Sequence, residues 1–345
     1  MLSFIFRRLG LMLLTMFCLS LIVFFFVNLD PNLRKLAIFQ TEMRATDADI
    51  ENWLSRNGYR DNFFIRYGRW LGLAPKQPVK DPISGQVIAR FRFCDEPTVP
   101  TFSGALQGDF GCSTAFRTTV SARLPEALKA TGVLMFWVMA VMVPVSLLIG
   151  VLAGMREGSR LDRYLSVGSI ASTATPEYVS GVIFTALFAS WLGWLNGSAA
   201  TAITKGISFY NFTLPIMTMA IYGTGYIARM TRASMAEVMT AQYIRTARLK
   251  GLNFRTVVVR HALRNALIAP FTVIMLQFPW LLTGVVVVET MFNYKGFGWL
   301  LVAAASNNDI DMVLACGLIS VVLVLVTQLI SDVGYAFLNP RIRVS

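Results

Sequence analysis

Charge is scarce in this 345-residue chain: Asp, Glu, Lys and Arg make up 14% of it, against 55% for the hydrophobic residues. An ordinary soluble domain is roughly 25% charged, which excludes a water-soluble globule first. With a mean hydropathy of +0.58, the long uncharged runs read as membrane spans. Disorder and collagen-like repeats are excluded by the same composition. Histidine occurs once, at His261, and there is no Ser/His, paired-Asp or H-E-x-x-H arrangement. A membrane hydrolase would therefore lack a nucleophile and base. Four cysteines make no disulfide framework, and without a C-x-x-C or Cys/His cluster no metal site is expected. A G-x-x-x-x-G-K-[ST] loop is also missing, so the chain cannot cradle nucleotide phosphates through a P-loop.

What is present is a set of uncharged stretches: Leu9 to Leu29, Ala130 to Met155, Gly206 to Ala228, Asn265 to Val288 and Met312 to Ser331, of 20 to 26 residues each. About 20 helical residues cross a bilayer. A sixth span is expected near residues 166 to 193, where Glu177 is the sole charge and Trp191 and Trp194 suit an interfacial belt. The first span follows Arg7 and Arg8 as a signal peptide would, but it is too long and lacks an A-x-A site, so it reads as a retained anchor.

Basic residues set the orientation. With the N-terminus in the cytoplasm, the inner segments hold fifteen of them, eight between Arg229 and Arg264, whereas the short outer loops hold Lys205 and Lys295. Both termini are then inside. The net charge of +12 follows this topology, and no nucleic-acid partner is expected. The expected domains are residues 1–29 (N-terminus and first span), a charged water-facing lobe at 30–129, and a core at 130–345 containing a cytoplasmic loop at 229–264. Cys94 and Cys112 fall in the lobe, where an oxidising compartment would allow a bridge, the alternative being two free thiols.

The stretch between the fourth and fifth spans is divided by Gly251 into two helix-forming pieces, Thr240 to Lys250 and Phe254 to Leu263. On charge alone it is a basic loop against lipid head groups. Its residue order adds more. Gln242-Tyr243-Ile244-Arg245-Thr246, then Ala247-Arg248-Leu249-Lys250-Gly251, then His261-Ala262-Leu263-Arg264-Asn265 closely resembles the coupling loop of ABC-importer permeases, in the form found in the dipeptide, oligopeptide and nickel importers. Arg245, Thr246 and Arg264 depart from the general importer pattern. Phe6-Arg7-Arg8-Leu9, Gly108-Asp109-Phe110-Gly111, Gly158-Ser159-Arg160-Leu161-Asp162, Gly284 to Gly298 and Asn339-Pro340-Arg341-Ile342-Arg343 extend the resemblance over residues 1–29 and 105–345. Residues 30–103 contribute nothing to that resemblance.

The resemblance implies an all-α membrane protein with six transmembrane helices in the type I ABC importer permease fold, carrying a periplasmic lobe between helices 1 and 2. It implies the larger-loop permease subunit, not an enzyme, working with a homologous second permease, two ATPase subunits holding ATP and Mg, a periplasmic solute-binding protein and membrane lipid, and binding no cofactor itself. The expected location is the bacterial inner membrane, and the expected solutes are peptides or peptide-like. Tyr243, Arg245, Thr246, Ala247, Lys250, Gly251, His261 and Arg264 are the coupling candidates. Polar residues within spans are pathway candidates: Glu177, which could instead make a protonated packing hydrogen bond, and Gln277 and Pro279, the proline also explicable as a kink; Glu289, at the outer end of the fifth span, is a further candidate, which with Asp309 and Asp311 could be plain loop charge. An ATP-independent secondary carrier or channel is the alternative class, though no clear repeat relates the two halves.

Overall fold

A computed structural model describes residues 2–41, 46–80, 87–88, 91, 94 and 102–338. The Asp81-Pro82 and Ser84-Gly85 turns and the Asn339 to Arg343 ending lie outside the described residues.

In chain order the helices are α1 (Leu2–Val27), α2 (Asp30–Gln40), α3 (Asp47–Arg56), α4 (Phe63–Leu71), α5 (Val120–Gly154), α6 (Arg160–Ala174), α7 (Glu177–Phe184), α8 (Ala200–Thr204), α9 (Phe209–Met239), α10 (Gln242–Leu249), α11 (Phe254–Thr256), α12 (Leu263–Ala266), α13 (Ile268–Met291), α14 (Phe297–Ser306) and α15 (Ile310–Leu338). Wider π-helical turns occupy Thr185–Trp191 and Val257–Ala262. Two small antiparallel ladders pair β1 (Val79–Lys80) with β2 (Val87–Ile88) and β3 (Cys112–Ser113) with β4 (Thr118–Thr119).

Among the described residues, four helices are long and apolar enough to cross a membrane unaided: Phe6–Val27, Val120–Gly154, Ile268–Met291 and Ile310–Gly334. α9 has the length, but Asn211, Thr213, Thr218, Tyr222 and Tyr226 make its apolar half more polar. The expected span at 166 to 193 is not one helix. α6 stops at Ala174, Thr175 is extended at φ −90° and ψ 121°, and α7 begins after Pro176. The cause is local, because proline crowds the preceding residue out of the helical region. The helices thus accommodate six crossings, one of them broken.

The chain divides into two compact units. One comprises Ala130–Trp299 with Val324–Ser345. Its core gathers Leu134, Val138 and Met142 of α5, Phe212, Met219 and Ile227 of α9, and Leu281, Val285 and Val288 of α13. Gly150 and Gly154, four apart on α5, permit close approach to α9. A Cβ at either would stand 2.6 Å from a backbone carbonyl oxygen, Ala228 in the first case and Arg232 in the second, which is how small residues pack membrane helices.

The other unit comprises Leu2–Lys129 with Leu300–Leu323. Phe24 of α1, Leu33 and Leu36 of α2, Ile50 and Leu54 of α3, Tyr67 and Leu71 of α4, and Ile310 and Leu314 of α15 form its core. Polar side chains fix where its helices start: Thr46 and Asp49 form a reciprocal capping box on α3, and Asn62 accepts the Phe64 N–H of α4.

Candidate functional site

Gly251 takes the left-handed conformation, φ +78°, next to Lys250, the residue that caps α10. Leu252 N–H returns to the Ala247 carbonyl at 3.4 Å, closing the helix as a glycine cap does. The chain then resumes as α11, the π turn and α12, so the second piece runs as far as Ala266 rather than stopping at Leu263. Ile244 and Ala247 of the first piece and Val257, Val258, Ala262 and Ala266 of the second bury themselves together with Met235 of α9. Ser234 Oγ donates to the Ala266 carbonyl at 2.8 Å, and Asn265 Nδ2 donates to the Tyr243 hydroxyl at 2.9 Å. The pair is therefore one rigid piece rooted on α9.

Its free face holds Tyr243, Arg245, Thr246, Arg248, Leu249, Lys250, Leu252, Phe254 and Arg264, with Leu249 81% exposed and His261 half-buried. Ala247, by contrast, belongs to the buried side. Exposed apolar side chains ringed by cations are costly in water and suited to a partner surface of opposite charge.

A second brace joins α6 to α9. Asp162 accepts two hydrogen bonds from Arg232, at 2.5 and 2.8 Å, and further ones from Gly158 N–H at 2.9 Å and Ser166 Oγ at 3.1 Å. The Arg232 bonds, opposed by burial, hold the Asp162 carboxyl well below its usual range. Asp162 lies in a stretch that the resemblance singled out, but sequence alone gave no hint of its partner 70 residues on.

Glu177 opens α7 and borders an open cleft of about 410 Å³ with Thr173, Tyr178, Tyr222 and Trp280. Tyr222 of α9 and Trp280 of α13 stack face to face, centroids 4.6 Å apart at 18°. The Glu177 carboxylate lies over Gly284, where a Cβ would meet Oε2 at 2.7 Å. Glycine is what lets the carboxylate lie flat on α13.

The other pathway candidates are elsewhere. Gln277 is buried, and its Oε1 has no hydrogen-bond partner among the described residues. Pro279 has no N–H to give the Met275 carbonyl one turn earlier, and Ser331 Oγ of α15 donates to that oxygen at 2.7 Å. The carbonyl that the proline leaves free is thus paired. Glu289 is fully buried, accepting from Thr131 Oγ1 and from Trp299 N–H, the latter at 3.0 Å, while Phe297 N–H donates to Thr131 Oγ1 at 2.8 Å. It buckles the end of α13 to the first turn of α14, so neither the loop-charge reading nor the cleft describes its position. Asp309 likewise is buried, accepting from Ser113 Oγ at 2.5 Å, Ala115 N–H at 3.1 Å and Met312 N–H at 3.3 Å. Burial raises its pKa against those bonds. Cys94 and Cys112 are joined by a disulfide, Cα to Cα 6.3 Å, beside Phe91 and Trp53.

Residues 146–344 match the family model described as "Binding-protein-dependent transport system inner membrane component". The chain belongs to this family. A probable peptide ABC transporter permease protein, y4tP of Sinorhizobium fredii, is 35% identical over 286 residues, covering 79% of this chain and 91% of that protein. The oligopeptide transport system permease AppB of Bacillus subtilis is 31% identical over 309 residues, 87% of each chain. The glutathione transport system permease GsiC of Escherichia coli is 33% identical over 253 residues, covering 72% of this chain and 81% of that one. A crystal structure of an amino acid ABC transporter with histidines overlaps 63% of this chain and 93% of its own at 16% identity, TM-score 0.46. The protein is thus a multi-pass permease of the inner membrane, a transport subunit of an ABC importer and not an enzyme. An ATPase and a solute-binding protein are the permease's partners by the nature of the family.

Proposed function

We propose that this permease pairs with a homologous second permease and two ATPase subunits, and passes peptides or peptide-like solutes received from a periplasmic solute-binding protein. Both termini are cytoplasmic, residues 30–129 are periplasmic, and the loop at 229–264 faces the ATPases. The chain binds no cofactor, ATP and Mg residing in the ATPases. The names of the relatives support the peptide class.

The observation that carries the coupling role is the exposed apolar and cationic face of the helical pair around Gly251, backed by its own core on α9. A rigid surface element is what converts ATPase closure into movement of helices between two packings. The buried staple passes the displacement to α9, and Asp162 with Arg232 passes it to α6. Deleting residues 243–252 is expected to abolish co-purification of the ATPases and solute uptake while leaving membrane insertion intact. Normal uptake by the deletion overturns the assignment.

Glu177, with the Tyr222–Trp280 stack, borders the translocation pathway. Intramembrane carboxylates are costly enough, about 2.5 to 3.5 kcal/mol on insertion scales, to mark function. Glu177→Gln in the assembled importer is expected to lower uptake at least several-fold with the subunit composition unchanged; undiminished uptake removes Glu177 from the pathway.

A further inference from the structure

We infer that α4 is an interfacial helix, embedded in the lipid leaflet at the C-terminal end of α1 rather than held in water with the rest of residues 30–129. The inference concerns a segment outside the family match and rests on α1 crossing the membrane.

The depth of α4 is set by its contacts. The membrane-sized part of α1 ends at Val27. Tyr67 of α4 meets α1 well short of that end: its hydroxyl hydrogen-bonds Ser20 Oγ at 2.6 Å, and its ring packs on Phe17 and Phe24 at 6.1 and 5.3 Å. Ser20 lies seven residues before Val27, about 10 Å along a helix rising 1.5 Å per residue. Tyr67 therefore reaches below the level where α1 leaves the hydrocarbon. Interfacial helices sink their apolar face about 5–10 Å into the boundary, the depth these contacts require.

The outward surface of α4 suits that depth. Phe64 is 70% and Ile65 47% exposed. Phe64 continues an aromatic ribbon from the exposed face of α1: Phe26 to Phe25 at 5.6 Å, Phe25 to Phe63 at 6.0 Å, Phe63 to Phe64 at 5.4 Å. Phe25 and Phe26 are themselves exposed on a span, so the lipid that covers them continues over Phe64. The polar end is placed correspondingly. Arg66 donates to Asn28 Oδ1 just past the end of the span, its guanidinium 5.9 Å from the Phe24 ring, as a snorkelling arginine stands. α3 behaves otherwise, with Asp47, Asp49, Glu51 and Arg56 in ten residues.

The test is made on the importer assembled with its partner chains in liposomes, with Cys18 and Cys316 replaced and the Cys94–Cys112 bridge kept. Single cysteines from Phe64→Cys, Ile65→Cys, Ser55→Cys on α3 and Leu13→Cys on α1 carry an environment-sensitive fluorophore, quenched either by nitroxide-labelled lipid or by aqueous iodide. Labels at 64 and 65 are expected to emit blue-shifted light and to be quenched by the lipid nitroxide at least half as strongly as the label at 13, with little iodide effect, while the label at 55 shows the reverse. Iodide quenching at 64 and 65 equal to that at 55 overturns the inference. So does protection from both quenchers, which would mean that protein covers α4. If the label at 13 escapes the lipid nitroxide, the span assigned to α1 fails; if it is quenched and those at 64 and 65 are not, only the placement of α4 fails.

Discussion

Asp162 shows how one carboxylate serves three chain segments at once: it accepts from Ser166 within α6, closes the turn at Gly158 and holds Arg232 of α9. Asp162→Asn keeps the shape and removes the charge, and a charge-assisted hydrogen bond is worth about 1.5–3 kcal/mol. A loss of that order is expected in thermal unfolding of the detergent-solubilised protein. Since the folded carboxyl sits below its ordinary pKa, the pair's contribution is complete above about pH 4 and fades as the pH falls further. The gap between wild type and variant should narrow in acid; a gap that widens there contradicts the pairing. On the neighbouring face, Leu249→Asp should leave the fold intact, because the side chain is exposed, yet weaken capture of the ATPases at least tenfold in a pull-down. Such single residues were unevenly legible. Tyr243, Gly251 and His261 lie in a contiguous stretch whose order alone marks it. Thr131 and Ser331, which bond Glu289 and the Met275 carbonyl from distant elements, are ordinary polar residues in apolar runs, and nothing local distinguishes them.

Among the elements, α13 carries a proline whose cost is met from another helix. Ser331→Ala should leave the Met275 carbonyl unpaired, at about 1–3 kcal/mol. In a Pro279→Ala background residue 279 regains an N–H for that same oxygen, so the serine should matter far less. A double-mutant cycle on thermal stability measures the difference; additive losses would show that Ser331 does not serve the carbonyl freed by the proline. The third crossing is broken at Thr175 for an equally local reason. Pro176 stands in plain view next to Glu177, but hydropathy counted over residues 166 to 193 registers only apolarity, whereas the chain direction at Thr175 is decided by a steric clash within one dipeptide. The long apolar helices were legible because length and hydrophobicity are properties of a window. The π turns at Thr185–Trp191 and Val257–Ala262 are not, since their hydrogen-bond register depends on what packs against them.

For the molecule as a whole, the two units have different protections. Reducing the Cys94–Cys112 bridge, or Cys112→Ser, removes a cross-link between positions 18 apart, worth about 3 kcal/mol for a loop of that size. Hydrogen exchange should then rise in the unit holding Leu2–Lys129 while the α5–α9–α13 core keeps its protection; a uniform rise would show that the two unfold together. The unit boundaries illustrate what composition can and cannot reveal. Charge density marks out residues 30–129 at a glance, yet the unit also takes in Leu300–Leu323, because Asp309 and Asp311 return to it through specific hydrogen bonds to Ser113, Ala115 and Cys112.

That return has a consequence in time. The Asp309 carboxylate lies 196 residues downstream of the Ser113 hydroxyl that donates to it. At a synthesis rate of roughly 5–20 residues per second, Ser113 and the Ala115 amide wait on the order of 10–40 s for their acceptor. During that interval the ladder of β3 and β4 is unfinished, its cysteine at position 112 already made. The unit that begins at the N-terminus is thus among the last parts of the newborn chain to be completed.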